Sequence, residues 1–327
     1  NNTLRAELEF DKNVLIIGED ISGGFDKKTK EPLDAWGGPF AATKGLVQDF
    51  GTERIMDAPI SEAGFVGAAI GAALTGLRPV VDLMYFDFTT VAFDQLLSNA
   101  AKSRYMFGGQ TKVPLTLFAR SGGGTGHAAQ HSSAFYSILA HIPGLKVVTP
   151  TDPYSVKGLL SAAIRDDDPV FVVNDKKLIN MTGFVPDEDY QIELGKGRCL
   201  KEGSDITLVG MSYTTVVCQE AAEKLKEIGV DAEVIDLLSL SPLDEDIIIE
   251  SVKKTNRIVI VDEDNPKASI ASEVAAIVSD KAFDYLDAPV KRVTAPHTPV
   301  PYSKELENEF MPDSDDVLQT VKNILDI

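Results

Sequence analysis

Short apolar runs alternate with helix-like segments along nearly the whole chain, and this alternation limits the folds open to it. Five apolar runs in the first half predict buried strands, at 13–20, 78–88, 113–120, 145–150 and 169–174. Three segments between them have helical spacing, at 62–75, 90–107 and 153–165. Strands buried on both faces and separated by helices are typical of a parallel sheet covered on both sides. The sequence therefore predicts an α/β fold.

The alternation is interrupted once, which divides the chain into two parts. Residues 181–203 are polar and contain Gly and Pro, so we interpret them as a linker. The strand and helix patterns resume after it, and a chain of 327 residues is long enough for two hydrophobic cores. We expect two doubly wound α/β domains, one at 1–180 and the other at 204–327. The long glycine-rich loop at 23–40 is expected to be functional or mobile.

Composition excludes several classes of partner. The 50 acidic and 31 basic residues leave a formal charge of -19, which repels nucleic acid and anionic membrane surfaces. The most apolar run, at 64–77, is too short to span a bilayer, and the start of the chain lacks the pattern of a signal peptide. Cys199 and Cys218 have no metal-type spacing and are expected to be small core residues. Together these features predict a cytoplasmic protein.

One acidic residue, Glu62, stands at the head of an otherwise small and apolar segment, EAGFVGAAIGAALTG. Ser61 could cap a helix that starts there, and an acid in the first turn is favoured by the helix dipole. The glycines and alanines suggest that other backbones approach this helix closely and bury Glu62 among apolar neighbours. Burial raises the pKa of a carboxyl group, which suits one that shares a proton with a ligand. Both interpretations, a helix-start acid and a functional acid, remain open on the residues alone.

A second candidate is the glycine-rich segment RSGGGTGHAAQHSS at 120–133, which follows a predicted strand. Ligands gather at the carboxyl ends of parallel strands, but this segment matches neither the dinucleotide nor the Walker pattern. His127 and His131 are four residues apart without the Glu of a zinc protease helix, and AAQHSSAF predicts a helix start. A lone histidine is more often structural than catalytic, so His131 is only a candidate at this point.

Several motifs together resemble one family, the β subunits of thiamine-diphosphate-dependent 2-oxoacid dehydrogenases. The segments that carry the resemblance include GEDISGG, DAWGGPFAATKGL, RIMDAPISEAGFVGAAIGAALTGLRPVV, AAQHSS, HIPGLKVVTP and TAPHTPVPYS. The long loop closing with DAWGG and the TAPHTPVPYS stretch are most similar to the acetoin dehydrogenase branch. The resemblance implies an N-terminal pyrimidine-binding domain, a C-terminal domain of the transketolase type and a role as an oxidoreductase component.

The resemblance also implies partners and cofactors. The family forms heterotetramers of two α and two β chains, with thiamine diphosphate between subunits and its magnesium held by the α subunit. This chain has no GDG motif followed by an Asn ligand, in agreement with a phosphate site on another chain. A dihydrolipoamide acetyltransferase core would accept the acetyl group through lipoamide. It would dock on the acidic C-terminal stretch by electrostatic steering, although such a charge run is often only a solvated face.

Site residues follow from the same resemblance. Glu62 would hydrogen-bond a ring nitrogen of the cofactor's aminopyrimidine and share the proton that activates the thiazolium carbon. His131 would stabilise the intermediate or handle protons. The other residues expected around the cofactor are Glu19, Ile60, Met84 and Phe88. Four residues would bind a structural potassium ion, largely through their backbone carbonyls: Leu117, Ala163, Asp166 and Asp168.

This chain departs from the family pattern in ways that affect substrate preference more than cofactor use. Ser133 replaces the glutamine of AAQHSQ, His127 could compete with His131 for the catalytic role, and NDKKLIN at 174–180 replaces a Glu-containing stretch. Two alternatives therefore stay open beside acetoin cleavage. One is decarboxylation of pyruvate or a branched-chain 2-oxoacid on the same scaffold, and the other is a structural subunit without catalytic residues.

Overall fold

A computed structural model describes residues 1–23 and 36–327, in which two separate sheets form the framework. Most of the loop at 23–40, on which we predicted function or mobility, lies outside the described residues. The strands in chain order are β1 Val14–Glu19, β2 Ile55–Ala58, β3 Arg78–Tyr85, β4 Thr116–Ser121, β5 Lys146–Val148, β6 Val170–Asp175, β7 Arg198–Lys201, β8 Ile206–Gly210, β9 Ala232–Asp236, β10 Ser239–Ser241, β11 Ile258–Asp262 and β12 Lys291–Thr294.

Helices cover both sheets, as the alternation predicts. In chain order they are α1 Asn2–Phe10, α2 Leu46–Phe50, α3 Glu62–Leu74, α4 Ala101–Met106, α5 Ser137–Ala140, α6 Pro153–Arg165, α7 Tyr213–Glu227, α8 Glu245–Thr255, α9 Ile270–Lys281, α10 Lys304–Phe310 and α11 Ser314–Leu325. The predicted helix at 90–107 is irregular: residues Gln95–Ala100 form π-helical turns before α4 begins. The predicted Asp-Pro start of α6 is present, because Asp152 accepts a hydrogen bond from the Ser155 amide over 2.7 Å.

The first sheet has the order β10-β5-β6-β4-β3-β1-β2 and is parallel except at β10. All six parallel strands come from the first half of the chain, whereas β10 comes from the second half and pairs antiparallel with β5. Val81, Leu117 and Phe171 are aligned across the three central strands and are fully buried. Because these strands are parallel, their carboxyl ends lie at one edge of the sheet, where α/β proteins bind ligands.

The second sheet has the order β12-β11-β8-β9-β7, and only β7 is antiparallel. Its helix α7 ends as predicted, with Gly229 in a left-handed conformation (φ 84°) just beyond it. The predicted linker at 181–203 has no helix or strand before Arg198, where β7 begins and joins this sheet. Cys218 is buried as expected, but the prediction for Cys199 is wrong, because that residue lies exposed on the edge strand β7.

The two sheets are connected by polar contacts as well as by β10. Arg198 donates to Asp152 over 2.8 Å and to Asp236 over 2.9 Å, so it links α6 of the first unit to β9 of the second. Asp236 is fully buried and also accepts from the Thr151 hydroxyl over 2.9 Å. Among the described residues, no helix has both the length and the apolar character that a membrane span requires.

Candidate active site

Glu62 is the first residue of α3, directly after the edge strand β2 and its short Pro59–Ser61 connection. Its side chain is almost fully buried, with 7% of the residue exposed. Ser61 occupies the position before the helix, but its hydroxyl donates to the Pro59 carbonyl over 3.2 Å and does not cap the helix. Within residues 1–23 and 36–327, no group donates a hydrogen bond or pairs a cation with the Glu62 carboxylate. A buried acid in this setting has room for a ligand as its partner.

A second carboxylate, Glu19, lies beside Glu62. Glu19 ends β1 and is aligned with Ala58 at the end of β2, the strand that leads into α3. Burial raises the pKa of Glu19, and repulsion from Asp20 and from Glu62 raises it further. Two acids therefore lie close together where the neighbouring parallel strands β1 and β2 end.

The glycines and alanines of α3 were expected to let other backbones approach, but the outer face of this helix is open. Gly67 does have a close neighbour, since a Cβ there would lie 3.3 Å from the Gln95 side-chain oxygen, but nothing lies within 4 Å of one on Gly71. Ala63, Gly64 and Ala68 are exposed in this chain. The expected close approach of other backbones is therefore absent from this face among the described residues. Phe65, Val66 and their inward neighbours provide the apolar surroundings of Glu62.

Aromatic side chains at the end of β3 lie against the glycine-rich segment. The Tyr85 ring is 4.5 Å from the His131 ring between centroids and 5.6 Å from both the His127 and the Phe88 rings. Phe88 is in turn 5.4 Å from His131. The half-buried Met84 precedes them with a left-handed backbone (φ 63°), and its amide donates to the Asp82 carboxylate over 2.8 Å. The structure thus brings His131, Phe88 and the backbone of Met84 into one region.

Ile60 is different, because it is 78% exposed in the isolated chain. Single exposed apolar side chains are common on protein surfaces, so the exposure of Ile60 does not by itself identify a contact. Its exposure fits a position that another chain or a ligand covers, but the geometry of this chain alone does not place it against His131.

Both histidines lie in an irregular segment, and the predicted helix start at AAQHSSAF is wrong. Helix α5 begins only at Ser137, because the preceding backbone is held by side chains: the Ser133 hydroxyl donates to Asp87 over 2.5 Å. Ser133, which departs from the family's glutamine, therefore attaches the histidine segment to the turn after β3. His127 accepts from or donates to the Thr125 hydroxyl through Nδ1, over 2.9 Å.

A buried lysine that the sequence analysis missed supports this segment. Lys176 follows β6, is 5% exposed and donates through Nζ to the carbonyl oxygen of His131. Its Nζ lies 5.6 Å from the centre of the Tyr85 ring. Burial lowers the pKa of Lys176, and burial followed by the positive charge of Lys176 lowers the pKa of His127. The surroundings of the His127 imidazole therefore favour its neutral form, which can accept a proton.

Both carboxylates of the expected potassium site are paired with cations of this chain. Lys146 pairs with the carboxylate of Asp166 over 2.6 Å, and Arg104 pairs with that of Asp168 over 2.6 Å. Arg78 donates to the carbonyl oxygen of Asp166 over 2.9 Å, and the Ala163 carbonyl accepts from the Asp166 amide. Leu117 lies inside the central strand β4. Cations of the chain already neutralise this acidic group, so a potassium ion here stays a prediction without support from the geometry.

The residues around Glu62 do fit an aminopyrimidine. A ring nitrogen and an exocyclic amino group require a carboxyl partner in a dry, partly aromatic pocket. Buried Glu62 with Glu19 beside it meets the first requirement, and half-buried Tyr85 and Phe88 supply aromatic rings at the end of β3, the strand next to β1. Two α/β units of this kind, with acids at the carboxyl ends of the first sheet, define a protein of the transketolase type.

Comparison with known proteins agrees with this class. Residues 1–182 match the model of the transketolase pyrimidine binding domain, and residues 195–317 match that of the transketolase C-terminal domain. The chain belongs to the family of β subunits of thiamine-diphosphate-dependent acetoin and 2-oxoacid dehydrogenases. A split-gene transketolase described as an inactive β4 tetramer has the same fold, with a TM-score of 0.75 at 22% identity over 99% of this chain and 96% of that one.

Three relatives show how the similarity is distributed. The β subunit of acetoin:2,6-dichlorophenolindophenol oxidoreductase from Bacillus subtilis is 50% identical over 99% of this chain and 95% of its own length. The protein of the same name from Cupriavidus necator is 45% identical over 95% of this chain and 91% of its own length. The pyruvate dehydrogenase E1 component β subunit of Rickettsia felis is 40% identical, over 99% of this chain and 95% of its own length. Similarity thus extends along both domains and is higher to the two acetoin proteins.

Proposed function

We propose that this chain is the β subunit of a thiamine-diphosphate-dependent enzyme that cleaves acetoin and passes the acetyl group to lipoamide. The observation that carries the proposal is buried Glu62 with half-buried Glu19 beside it, at the carboxyl edge of a sheet whose domain matches a pyrimidine binding model. The higher identity to the two acetoin proteins supports the substrate. When bound, thiamine diphosphate would supply the carbon nucleophile that attacks the substrate carbonyl.

Glu62 would hold the pyrimidine ring through a shared proton. Its carboxylate has no protein donor among the described residues, and the apolar side of α3 keeps water away from it. Burial, followed by the charges of Asp20 and Glu62, raises the pKa of Glu19 beside it. Replacing the Glu62 carboxyl group would slow the reaction without removing the pocket.

His131 would take or give a proton at an imidazole nitrogen during acetyl transfer. Its ring is held at its edge by Tyr85 and Phe88, and its backbone is held by Lys176. His127 lies against the same tyrosine and is the alternative for this role. Since the charge of Lys176 and burial keep His127 neutral, its ring can accept a proton from a substrate hydroxyl at neutral pH.

The proposal requires partner chains. An α subunit, in a heterotetramer of two α and two β chains, would hold the diphosphate and its magnesium, since this chain has no motif for them. The exposed Ile60 and the small side chains on the outer face of α3 flank Glu62 and fit coverage by that subunit. A dihydrolipoamide acetyltransferase core would accept the acetyl group.

Steady-state kinetics of the reconstituted α and β chains test the substrate. We expect kcat/KM for acetoin to exceed that for pyruvate and for branched-chain 2-oxoacids, with an artificial electron acceptor in place of the core. A kcat/KM for pyruvate well above that for acetoin would contradict acetoin cleavage and support the decarboxylating alternative. Absence of turnover with every substrate, in an assembled complex that binds thiamine diphosphate, would support a structural subunit.

A further inference from the structure

The glycine-rich segment that precedes the two histidines has an unusual arrangement of backbone amides. Gly122, Gly124 and Gly126 all have left-handed backbones, with φ of 92°, 77° and 73°. Alternation of this kind turns successive N–H groups toward one side and forms a concave site for an anion. Four consecutive amides, from Gly123 to Gly126, donate to carboxylates rather than to the backbone.

The anion in this concave site is a side chain of the second domain. Glu307 in α10 is 2% exposed, and its Oε1 accepts from the Gly124 amide over 2.7 Å and from the Thr125 amide over 3.2 Å. Its Oε2 accepts from the Gly126 amide over 2.9 Å. Glu263, which follows β11, accepts from the Gly123 amide over 2.6 Å. Both carboxylates lie more than 130 residues away along the chain, so the loop is held from outside its own domain.

The held loop leads directly to the histidines. The hydroxyl of Thr125, whose amide Glu307 holds, contacts Nδ1 of His127 over 2.9 Å, and His127 lies against Tyr85. The loop also lies close to the end of α10, because a Cβ on Gly123 would be 2.8 Å from the sulfur of Met311, the residue that follows this helix. A charged group accepting three amides is a strong and directional constraint.

We propose that Glu307 of the C-terminal domain is a positioning residue, which holds the loop at 122–126 and through it sets His127 and His131 against Tyr85. This inference rests on the proposed function, since it assigns to the two histidines a part in the reaction. Glu307 itself does not touch the reacting groups. Its role couples the placement of the C-terminal domain to the geometry of a site built by the first domain.

Hydrogen exchange measures the proposed contact without any substrate. In the assembled α and β complex, Glu307→Gln keeps the size of the side chain but loses its charge and turns an amide NH2 group toward the loop. We expect the amides of 124–126 to exchange roughly tenfold faster in this variant, because hydrogen bonds to a charged acceptor are lost. Glu309→Gln, on the exposed face of the same helix, is the matched control and should exchange like the wild type.

Kinetics and histidine NMR separate positioning from general stability. We expect Glu307→Gln to lower kcat roughly tenfold or more with KM little changed, measured at a temperature where the complex of the variant stays folded. The groups that face the His127 ring are Lys176, His131, Tyr85, Thr125 and Glu307. Because the negative charge of Glu307 favours the imidazolium, its removal should shift the titration of His127 to lower pH. The exposed His141 and His297 serve as internal references that should not move.

Wild-type exchange at 124–126, or a wild-type kcat, in Glu307→Gln would overturn the proposal. If Glu307→Gln fails to assemble, Glu307→Asp keeps the charge but shortens the side chain by one methylene, and the same loss of protection and of kcat is expected. If the wild type turns over a 2-oxoacid and not acetoin, the acetoin assignment fails. The effect on kcat is then measured with that 2-oxoacid, and Glu307 is judged separately.

Discussion

At the scale of single residues, three buried carboxylates differ in their partners. Glu62 is buried without a protein partner among the described residues, Glu307 is buried against three amides, and Glu263 is buried against Asp175. Burial, followed by repulsion from Asp175, raises the pKa of Glu263 well above its usual value. Glu263 and Asp175 therefore share a proton. Of these three carboxylates, Glu62 is the one without a partner among the described residues, so it is available to a ligand.

Replacing Glu62 tests its role most directly. In the assembled complex we expect Glu62→Gln to lower kcat by about 10²- to 10⁴-fold, the range associated with loss of a group that transfers protons. The melting temperature of the apo complex should stay near that of the wild type, because no protein group among the described residues relies on the charge. Glu53→Gln, an exposed acid before β2, is the control. Retained turnover would mean that Glu62 is only a helix-start acid.

The sequence predicts some of these residues and not others. Glu62, Glu19, Phe88 and His131 are predicted from short motifs that resemble those of one family, and their roles stay predictions. Lys176 and Glu307 carry no such signal. Each side chain makes a hydrogen bond to a backbone group 45 or more residues away in the chain. No local sequence pattern indicates such a contact.

At the scale of elements, the strongly periodic segments were predicted and the edges were not. Strands β2, β7 and β10 have only three or four residues each, too few for periodicity to identify. Pairing of β10 with β5 joins residues about 90 apart in the chain, so no local pattern could indicate it. The glycine-rich loop was noticed, but its left-handed turns depend on carboxylates from the second domain.

Adding a single Cβ to this loop measures how tightly it is held. At Gly122 the φ of 92° disfavours alanine, and a Cβ would lie 2.3 Å from the Asp175 Oδ2 and 2.9 Å from the Glu263 Oε1. Gly76→Ala is the matched control, because Gly76 has a φ of 101° and nothing within 4 Å of its Cβ position. We expect Gly76→Ala to cost about 1–2 kcal/mol from the backbone alone. The cost of Gly122→Ala should exceed this clearly, and equal melting temperatures would show that the loop can move aside.

At the scale of the whole molecule, acidic groups are concentrated where the two domains meet. Asp264 follows β11 and accepts from the Ser137 hydroxyl of the first domain over 3.1 Å, while the neighbouring Asp262 is fully buried. Burial, followed by repulsion from Asp262, raises the pKa of Asp264 to about 7. A contact between domains that contains so many acids is expected to respond to pH.

The direction of that response follows from proton linkage. The folded chain holds the Asp264 proton up to about pH 7, whereas the unfolded chain releases it near the ordinary value of 3.8. The contribution of Asp264 to the free energy of unfolding is therefore fully present below pH 3.8 and is lost as pH rises to about 7. We expect the melting temperature of Asp264→Asn, relative to the wild type, to rise between pH 4 and pH 7. Asp284→Asn, at an exposed site, should show no such trend. If the melting temperatures of Asp264→Asn and the wild type change in parallel with pH, the pH response comes from a group other than Asp264.

The surface charge of the molecule leads to the last prediction, on docking of the acyltransferase core. With a net charge of -19, the chain attracts basic partners over its whole surface, so a specific site must add a local cluster. Helix α10 buries Glu307 inward and leaves Glu305 and Glu309 exposed, beside the capped start of α11 at Asp313. If this end of the domain receives the small basic domain of the core, reversing Glu305 and Glu309 to Lys should lower the association rate by roughly tenfold at low salt.

Reversing Asp187 and Glu188 to Lys, two exposed acids in the linker, changes the net charge equally and serves as the control. The difference between the two double variants should shrink as salt is raised to 0.5 M, where the Debye length falls to about 4 Å. Stopped-flow association with the isolated basic domain measures both effects, and equal rates for the two variants at every salt concentration would show that docking uses another surface.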